Sequence, residues 1–175
     1  LTTHKISVNL SGAQFKQSDL FHQITQTLFK TSLEPHFLEL ELTESILVEN
    51  IKTTVHRLNL LKKIGIQISL DDFGTGYSSL GYLQQFPFDT LKIDACFIRD
   101  INQNKVNAVI TKTIIEMAQQ LGLKVVAEGV ETTAELEFLK NAQCDAIQGF
   151  LFSRPLSAQE FQKLAMDYLH SSRQS

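Results

Sequence analysis

Ile66-Gln67-Ile68-Ser69-Leu70-Asp71-Asp72-Phe73-Gly74-Thr75-Gly76-Tyr77-Ser78-Ser79-Leu80 is the stretch from which the fold can be read. It opens with β-branched residues in alternation, the pattern of a strand. The run stops at two adjacent carboxylates, and a Gly-x-Gly loop with hydroxyl residues follows. Adjacent aspartates repel each other and resist joint burial, so a lone Asp-Asp reads most simply as a solvated turn. At a strand end the pair gains another meaning when a cation or a proton makes it useful. The rest of the chain decides between the two.

Outward from this stretch the chain alternates strand and helix. Upstream, residues 5–10 read as a strand with Ile6, Val8 and Leu10 on one face and Ser7 and Asn9 on the other. Residues 19–30 have helical spacing. Residues 37–43 form the next strand, with Leu38, Leu40 and Leu42 opposite Glu39, Glu41 and Thr43. Residues 49–64 form a helix that Gly65 stops. Downstream, residues 77–85 read as a short helix, 90–94 as a strand, 106–121 as a helix ending at Gly122, and 124–130 as a strand. Thr132 and Glu135 have capping-box spacing for a helix to Asn141, and Ser157 and Glu160 repeat it for a last helix to about Leu169. Between them, residues 145–151 are expected as a sixth strand that contains Gln148 and Gly149.

Six strands separated by helices imply a parallel α/β sheet, either open and doubly wound or closed as a barrel. Open sheets buried on both faces favour uniformly apolar strands. Here one face is polar: Ser7 and Asn9, Glu39 and Glu41, Gln67 and Ser69, Lys92 and Asp94. That phase fits a TIM-like (β/α) barrel whose interior leads to a polar site, with six of about eight strands in this chain. Composition agrees with one core-forming domain: 175 residues, 43% hydrophobic and 20% charged. The net charge of -3 gives no footprint for a DNA or RNA polymer. Cys96 and Cys144 lack metal-ligand spacing and read as inert thiols in a reducing, cytoplasmic setting. No apolar run approaches the roughly eighteen residues of a membrane span, and the first residue, Leu1, suggests a piece of something longer. Residues 1–170 are read as the domain and 171–175 as a polar tail.

Parallel barrels carry chemistry at the carboxyl ends of their strands. Asn9, Glu41, Asp71, Asp72, Lys92, Glu128 and Gln148 all lie at or near such ends. The carboxylates and the Asn9 amide oxygen are hard donors, with no sulfur or histidine among them, and they select Mg²⁺ or Mn²⁺. Several carboxylates around one point suit a two-metal site that activates a water and stabilises a phosphoryl leaving oxygen. Lys92 can hold that water or neutralise phosphate charge. A barrel aldolase using Lys92 as a Schiff-base amine is the competing chemistry, although nearby carboxylates would favour the ammonium form.

The motifs Asn9-Leu10-Ser11, Glu41-Leu42-Thr43-Glu44, Asp71-Asp72-Phe73-Gly74-Thr75-Gly76, Leu91-Lys92-Ile93-Asp94, Ala127-Glu128-Gly129-Val130-Glu131 and Gln148-Gly149-Phe150 resemble, in order, those of the EAL domain. That family comprises bacterial signalling phosphodiesterases, linked to biofilm control, that open cyclic di-GMP to linear pGpG. The resemblance implies a TIM-like barrel and two Mg²⁺ or Mn²⁺ ions held by Asn9, Glu41, Asp71, Asp72 and Glu128. It implies a catalytic set of Lys92, Asp72 and Glu128, with Lys92 beside the nucleophilic water. Gln148 and Arg154 are implied near substrate. Glu44 is implied as the anchor of the loop at 73–80, and Glu131 as a further support or metal-water contact. It further implies a homodimer, with residues near Leu83 and at 106–110 in the contact, and an upstream sensory or GGDEF domain in a parent protein that can be membrane-anchored.

One departure stands out. The Glu-Ala-Leu tripeptide belongs on a strand upstream of the Asn-Leu-Ser motif, and the chain starts just before that motif. The sequence thus resembles the C-terminal three-quarters of the domain. An inactive relative that binds cyclic di-GMP or a partner protein is the alternative to a phosphodiesterase.

Overall fold

Among the described residues, each strand but the last pairs, in parallel, with the strand that follows it in the sequence. The computed structural model describes residues 5–46, 50–76 and 83–171. Its single described sheet runs β1 (Ile6–Asn9), β2 (Leu38–Thr43), β3 (Gln67–Phe73), β4 (Thr90–Ile93), β5 (Lys124–Ala127) and β6 (Ala146–Ile147), in that spatial order. A doubly wound sheet reverses direction at a switch point. No reversal occurs here, so the curled sheet is the greater part of a (β/α) barrel.

Among the described residues, helices lie between β1 and β2 as α1 (Gly12–Phe15) and α2 (Leu20–Thr31), between β2 and β3 as α3 (Ile51–Lys63), between β4 and β5 as α4 (Ala95–Ile98) and α5 (Lys105–Gln120), between β5 and β6 as α6 (Thr133–Asn141), and after β6 as α7 (Ala158–Ser171). The strands' apolar phase packs against them. Leu42, Ile68, Leu70, Leu91, Ile93, Val125 and Ala127 are fully buried in one cluster with Leu58 of α3, Ile115 and Ala118 of α5 and Leu139 of α6. Each such leucine or isoleucine contributes about 1.5–3 kcal/mol of burial. The polar phase faces the barrel interior, where Glu39, Glu41, Ser69, Thr90 and Lys92 are nonetheless buried.

The helix boundaries follow local chemistry. Thr132 and Glu135 form the expected capping box, and Ser157 and Glu160 exchange the same bonds before α7. Ser11 and Gln14 make a third box that the sequence reading passed over. Asn50 caps α3 by accepting from the Thr53 amide, so the described helix starts at Ile51; residues 47–49 lie outside the described residues. The expected helix at 77–85 falls mostly on residues 77–82, also outside them. At the amino-terminal ends of the strands two aspartates play matching parts. Asp89, just before β4, accepts from the Ile68 amide of β3, and Asp145, just before β6, accepts from the Val125 amide of β5.

The sixth strand is shorter than its expected 145–151 span. It ends at Ile147, so Gln148 and Gly149 lie beyond it. Val130 explains the break. Its amide donates to Gln148 O, and its carbonyl accepts from the Leu151 amide, which draws the chain across the Val130 backbone at Gly149. A Cβ on Gly149 would overlap the Val130 nitrogen and carbonyl oxygen. Backbone cannot yield there as a flexible side chain would. Gly149→Ala is therefore expected to destabilise the chain by about 3 kcal/mol or more, read as a lower urea midpoint at unchanged slope.

Candidate metal centre

The centre depends on an irregularity in β3. Leu70 pairs with Leu91 of β4, yet the next pairing is Phe73 with Ile93. Asp71 and Asp72 thus both oppose Lys92, the two-against-one arrangement of a β-bulge. Asp72 takes a left-handed φ of 55°, which aspartate tolerates better than most residues. In a regular strand the two carboxylates would point to opposite faces. The bulge turns both the same way.

Glu128 comes to them from β5. It lies one residue past Ala127, its amide donates to Ile93 O at 3.0 Å, and Gly129 (φ 69°) turns the chain immediately afterwards. One carboxylate oxygen each from Asp71, Asp72 and Glu128 lies within 4.8 Å of the others. Lys92 sits against the same group. Its Nζ is 2.6 Å from Glu128 Oε1, 2.8 Å from Glu41 Oε2 and 3.2 Å from Asp71 Oδ1, with all but 5% of the residue buried. Burial alone would strip its proton, but hydrogen bonds to Glu128 and Glu41 and the charges of Glu128 and Asp71 outweigh that, and its pKa is raised. A lysine held this firmly as ammonium is a poor Schiff-base nucleophile, which removes the ground for the aldolase chemistry.

The carboxylates feel their mutual repulsion. Burial, then the charges of Asp71, Asp94 and Glu44, hold the Asp72 carboxyl above the usual aspartate range, with Lys92 opposing. Burial also raises Glu128, against its bond to Lys92. An all-oxygen set with unneutralised negative charge fits a hard divalent cation. Asp71, Asp72 and Glu128 could hold one directly, with Glu41 beside them.

The other expected residues are placed as follows. Asn9, on the exposed β1, is in register with Glu41. Glu44, buried in the turn after β2, accepts from the Gly74 amide at 2.9 Å, and its second oxygen lies where a Cβ on Gly76 would go. It thus touches the described part of the loop, residues 73–76. Gln148 and Glu131 are exposed on the segments that follow β6 and β5. The Glu131 amide is held by Glu135. Arg154 is exposed, with its guanidinium 4.9 Å from the Phe150 ring centroid. Asp94 is a site residue that the sequence reading left unassigned: it caps α4 through the Cys96 amide and adds to the field on Asp72. Its alternation with Lys92 was the available signal.

The chain is similar to known proteins in sequence and in fold. The family model of the EAL domain matches residues 1–155. The chain is 46% identical over 152 residues to the cyclic di-GMP phosphodiesterase NbdA of Pseudomonas aeruginosa, covering 87% of this chain and 19% of that protein. A solved structure of the PaMucR phosphodiesterase in complex with c-di-GMP aligns with a TM-score of 0.86 at 43% identity, over 90% of this chain and 64% of that one. The manganese/cy-diGMP complex of Klebsiella pneumoniae BlrP1 at pH 9.0 aligns at 0.82 and 33% identity, over 88% and 40%. The chain spans about a fifth of the length of the curated relatives it matches.

The raised Asp72 pKa carries a stability consequence. The folded chain binds that proton more tightly than the unfolded chain, so its contribution is present at low pH and is lost as pH rises through the elevated range. Asp72→Asn keeps a residue suited to φ 55° and removes the repelled charge. Without metal, the variant's Tm is expected to match the parent's near pH 4 and to exceed it at pH 7, while Mn²⁺ raises its Tm less. A Tm difference that stays flat with pH, measured by thermal unfolding, contradicts the assignment.

Proposed function

Because the chain belongs to the EAL domain family, we propose that it forms most of a metal-dependent phosphodiesterase that opens cyclic di-GMP to linear pGpG with two Mg²⁺ or Mn²⁺ ions. The observation that carries this reading is the convergence of Asp71, Asp72 and Glu128 on one point at the carboxyl ends of β3 and β5. Asn9 and Glu41 complete the proposed ligand set. Divalent ions bound there would supply Lewis acidity and acidify a coordinated water. Lys92, kept protonated, cannot serve as a base; it orients the attacking water and offers positive charge to the phosphoryl oxygens. Asp72 and Glu128 complete the catalytic set, and Gln148 and Arg154 are assigned to substrate. The alternative, an inactive relative that binds cyclic di-GMP or a partner protein, is disfavoured by this intact carboxylate group. Asp71→Asn should abolish Mn²⁺-dependent hydrolysis of cyclic di-GMP while circular dichroism stays unchanged, in a polypeptide extended upstream by the remaining barrel strands. Retained hydrolysis would exclude the site.

The extension matters because β1 is exposed at all four residues, and Ile6, Val8, Phe150, Phe152 and Phe161 also present apolar surface. Sheet edges left open invite other chains. A longer polypeptide would close the barrel and add the upstream Glu-Ala-Leu carboxylate. We expect this 175-residue chain alone to turn over cyclic di-GMP poorly or not at all and the extended one to be active with Mn²⁺. Equal turnover at matched concentration would mean that the upstream strands contribute nothing.

Self-association and the loop that Glu44 holds belong to the same proposal. Leu83 is buried, so the apolar contact surface rests on Val106 and Val109 of α5. Among the described residues no helix is long and apolar enough to cross a membrane. A cytoplasmic setting, with a sensory or GGDEF domain upstream, is proposed on the strength of the family.

A further inference from the structure

Below the carboxylate centre lies a second cross-strand link that the proposed reaction does not use. Glu39 Oε1 accepts from Thr90 Oγ1 at 2.8 Å, and Glu39 Oε2 accepts from Ser7 Oγ at 3.1 Å. One carboxylate thus joins β1, β2 and β4. Glu39 and Thr90 are 9% and 4% exposed, and both bonds go to neutral hydroxyls.

The position of this link is what gives it meaning. β2 and β4 are not neighbours; β3 lies between them. The bond from Glu39 to Thr90 therefore spans β3 on the inner face. Two residues further along both strands, Glu41 and Lys92 span it again, also at 2.8 Å. The two links are successive rungs over one strand. Ser69, in register with Glu41 on one side and Thr90 on the other, is the β3 residue between them. It is fully buried, and among the described residues its hydroxyl has no partner. A small residue here leaves room above β3 for two long side chains to cross.

We propose that Glu39 is a positioning residue for the metal centre: through Thr90 it sets the span between β2 and β4 at which Glu41 and Lys92 meet. This rests on the reading of Asp71, Asp72, Glu128 and Glu41 as a cation site. An ion bound by rigid strand ends is sensitive to the separation of those strands, and outer partners of ligands typically change metal affinity by about 10- to 100-fold. Glu39 acts one layer down, through backbone held at both ends of the rung. Its charge is not what the position requires. A glutamine can accept from Thr90 with its oxygen and donate to Ser7 with its amide.

The test is Mn²⁺ binding by titration calorimetry on the chain itself, with Tm recorded in parallel. Glu39→Ala and Thr90→Val are each expected to weaken Mn²⁺ binding about tenfold or more. The double variant should be no weaker than the worse single one, because both remove one rung. Glu39→Gln and Thr90→Ser restore parental affinity. Thr90→Val keeps the shape of the side chain, so the proposal stays testable if Glu39→Ala fails to fold. Parental Mn²⁺ affinity in Thr90→Val despite a lower Tm overturns the proposal, since the rung would then serve stability alone. Glu39→Gln binding as weakly as Glu39→Ala overturns it too, because charge rather than geometry would be at work. If the unaltered chain binds no Mn²⁺, the cation-site reading itself falls, a result separate from any difference among variants.

Discussion

A single ammonium group holds the centre of this barrel together. Lys92 reaches from β4 to carboxylates on β2, on β3 and just past β5, and it does so almost entirely away from water. Buried ion pairs gain little net stability, because desolvation consumes much of the attraction, yet breaking one from a single side costs about 3–5 kcal/mol. The arrangement therefore works as a constraint more than as a source of stability. Four strand ends must meet at one point or Lys92 and its partners are left unpaired. The bulge in β3, the glycine turn after Glu128 and the rung beneath Glu41 all serve that meeting.

Much of this was legible in the sequence because it follows from period. The alternation in Leu38-Glu39-Leu40-Glu41-Leu42 assigned one face to helices and the other to the interior, and Leu40 and Leu42 do join Leu58 of α3 in one buried cluster. Strand order was inferable only as barrel-like, and the sheet's unbroken sequence of neighbours makes it so. What stayed hidden depended on events that have no period. Simple alternation would have sent Asp71 and Asp72 to opposite faces, and nothing in the one-dimensional pattern marks a bulge there. Gly149 looked like a residue inside a strand; it is instead where one backbone crosses another at Val130. Glu39 was grouped with the polar face but given no part, because its partner Thr90 lies 51 residues away.

The centre also shows how function opposes stability within a few residues. Asp72 and Glu128 hold their protons more tightly than isolated carboxyls do. At neutral pH without a cation, their ionisation works against the fold. A site arranged in this way stores negative charge for an occupant. The surrounding apolar shell, with Leu70, Leu91, Ile93 and Ala127 fully buried, supplies the rigidity that keeps the carboxylates from drifting apart to relieve the strain.

The paired aspartates at the far end of the barrel have a bearing on how such a molecule assembles. Asp89 closes the amide of Ile68 and Asp145 that of Val125, each reaching back from the start of the next strand. An amide near the start of β3 is thus satisfied only after β4 has arrived, and one in β5 only after β6. Each closure ties a strand to its successor, β3 to β4 and β5 to β6, and the Asp89 carbonyl accepts in turn from the Lys124 amide at the start of β5. Cooperative units of native opening follow such shared closures. A boundary drawn between β3 and β4, or between β5 and β6, would therefore leave a buried amide without its acceptor.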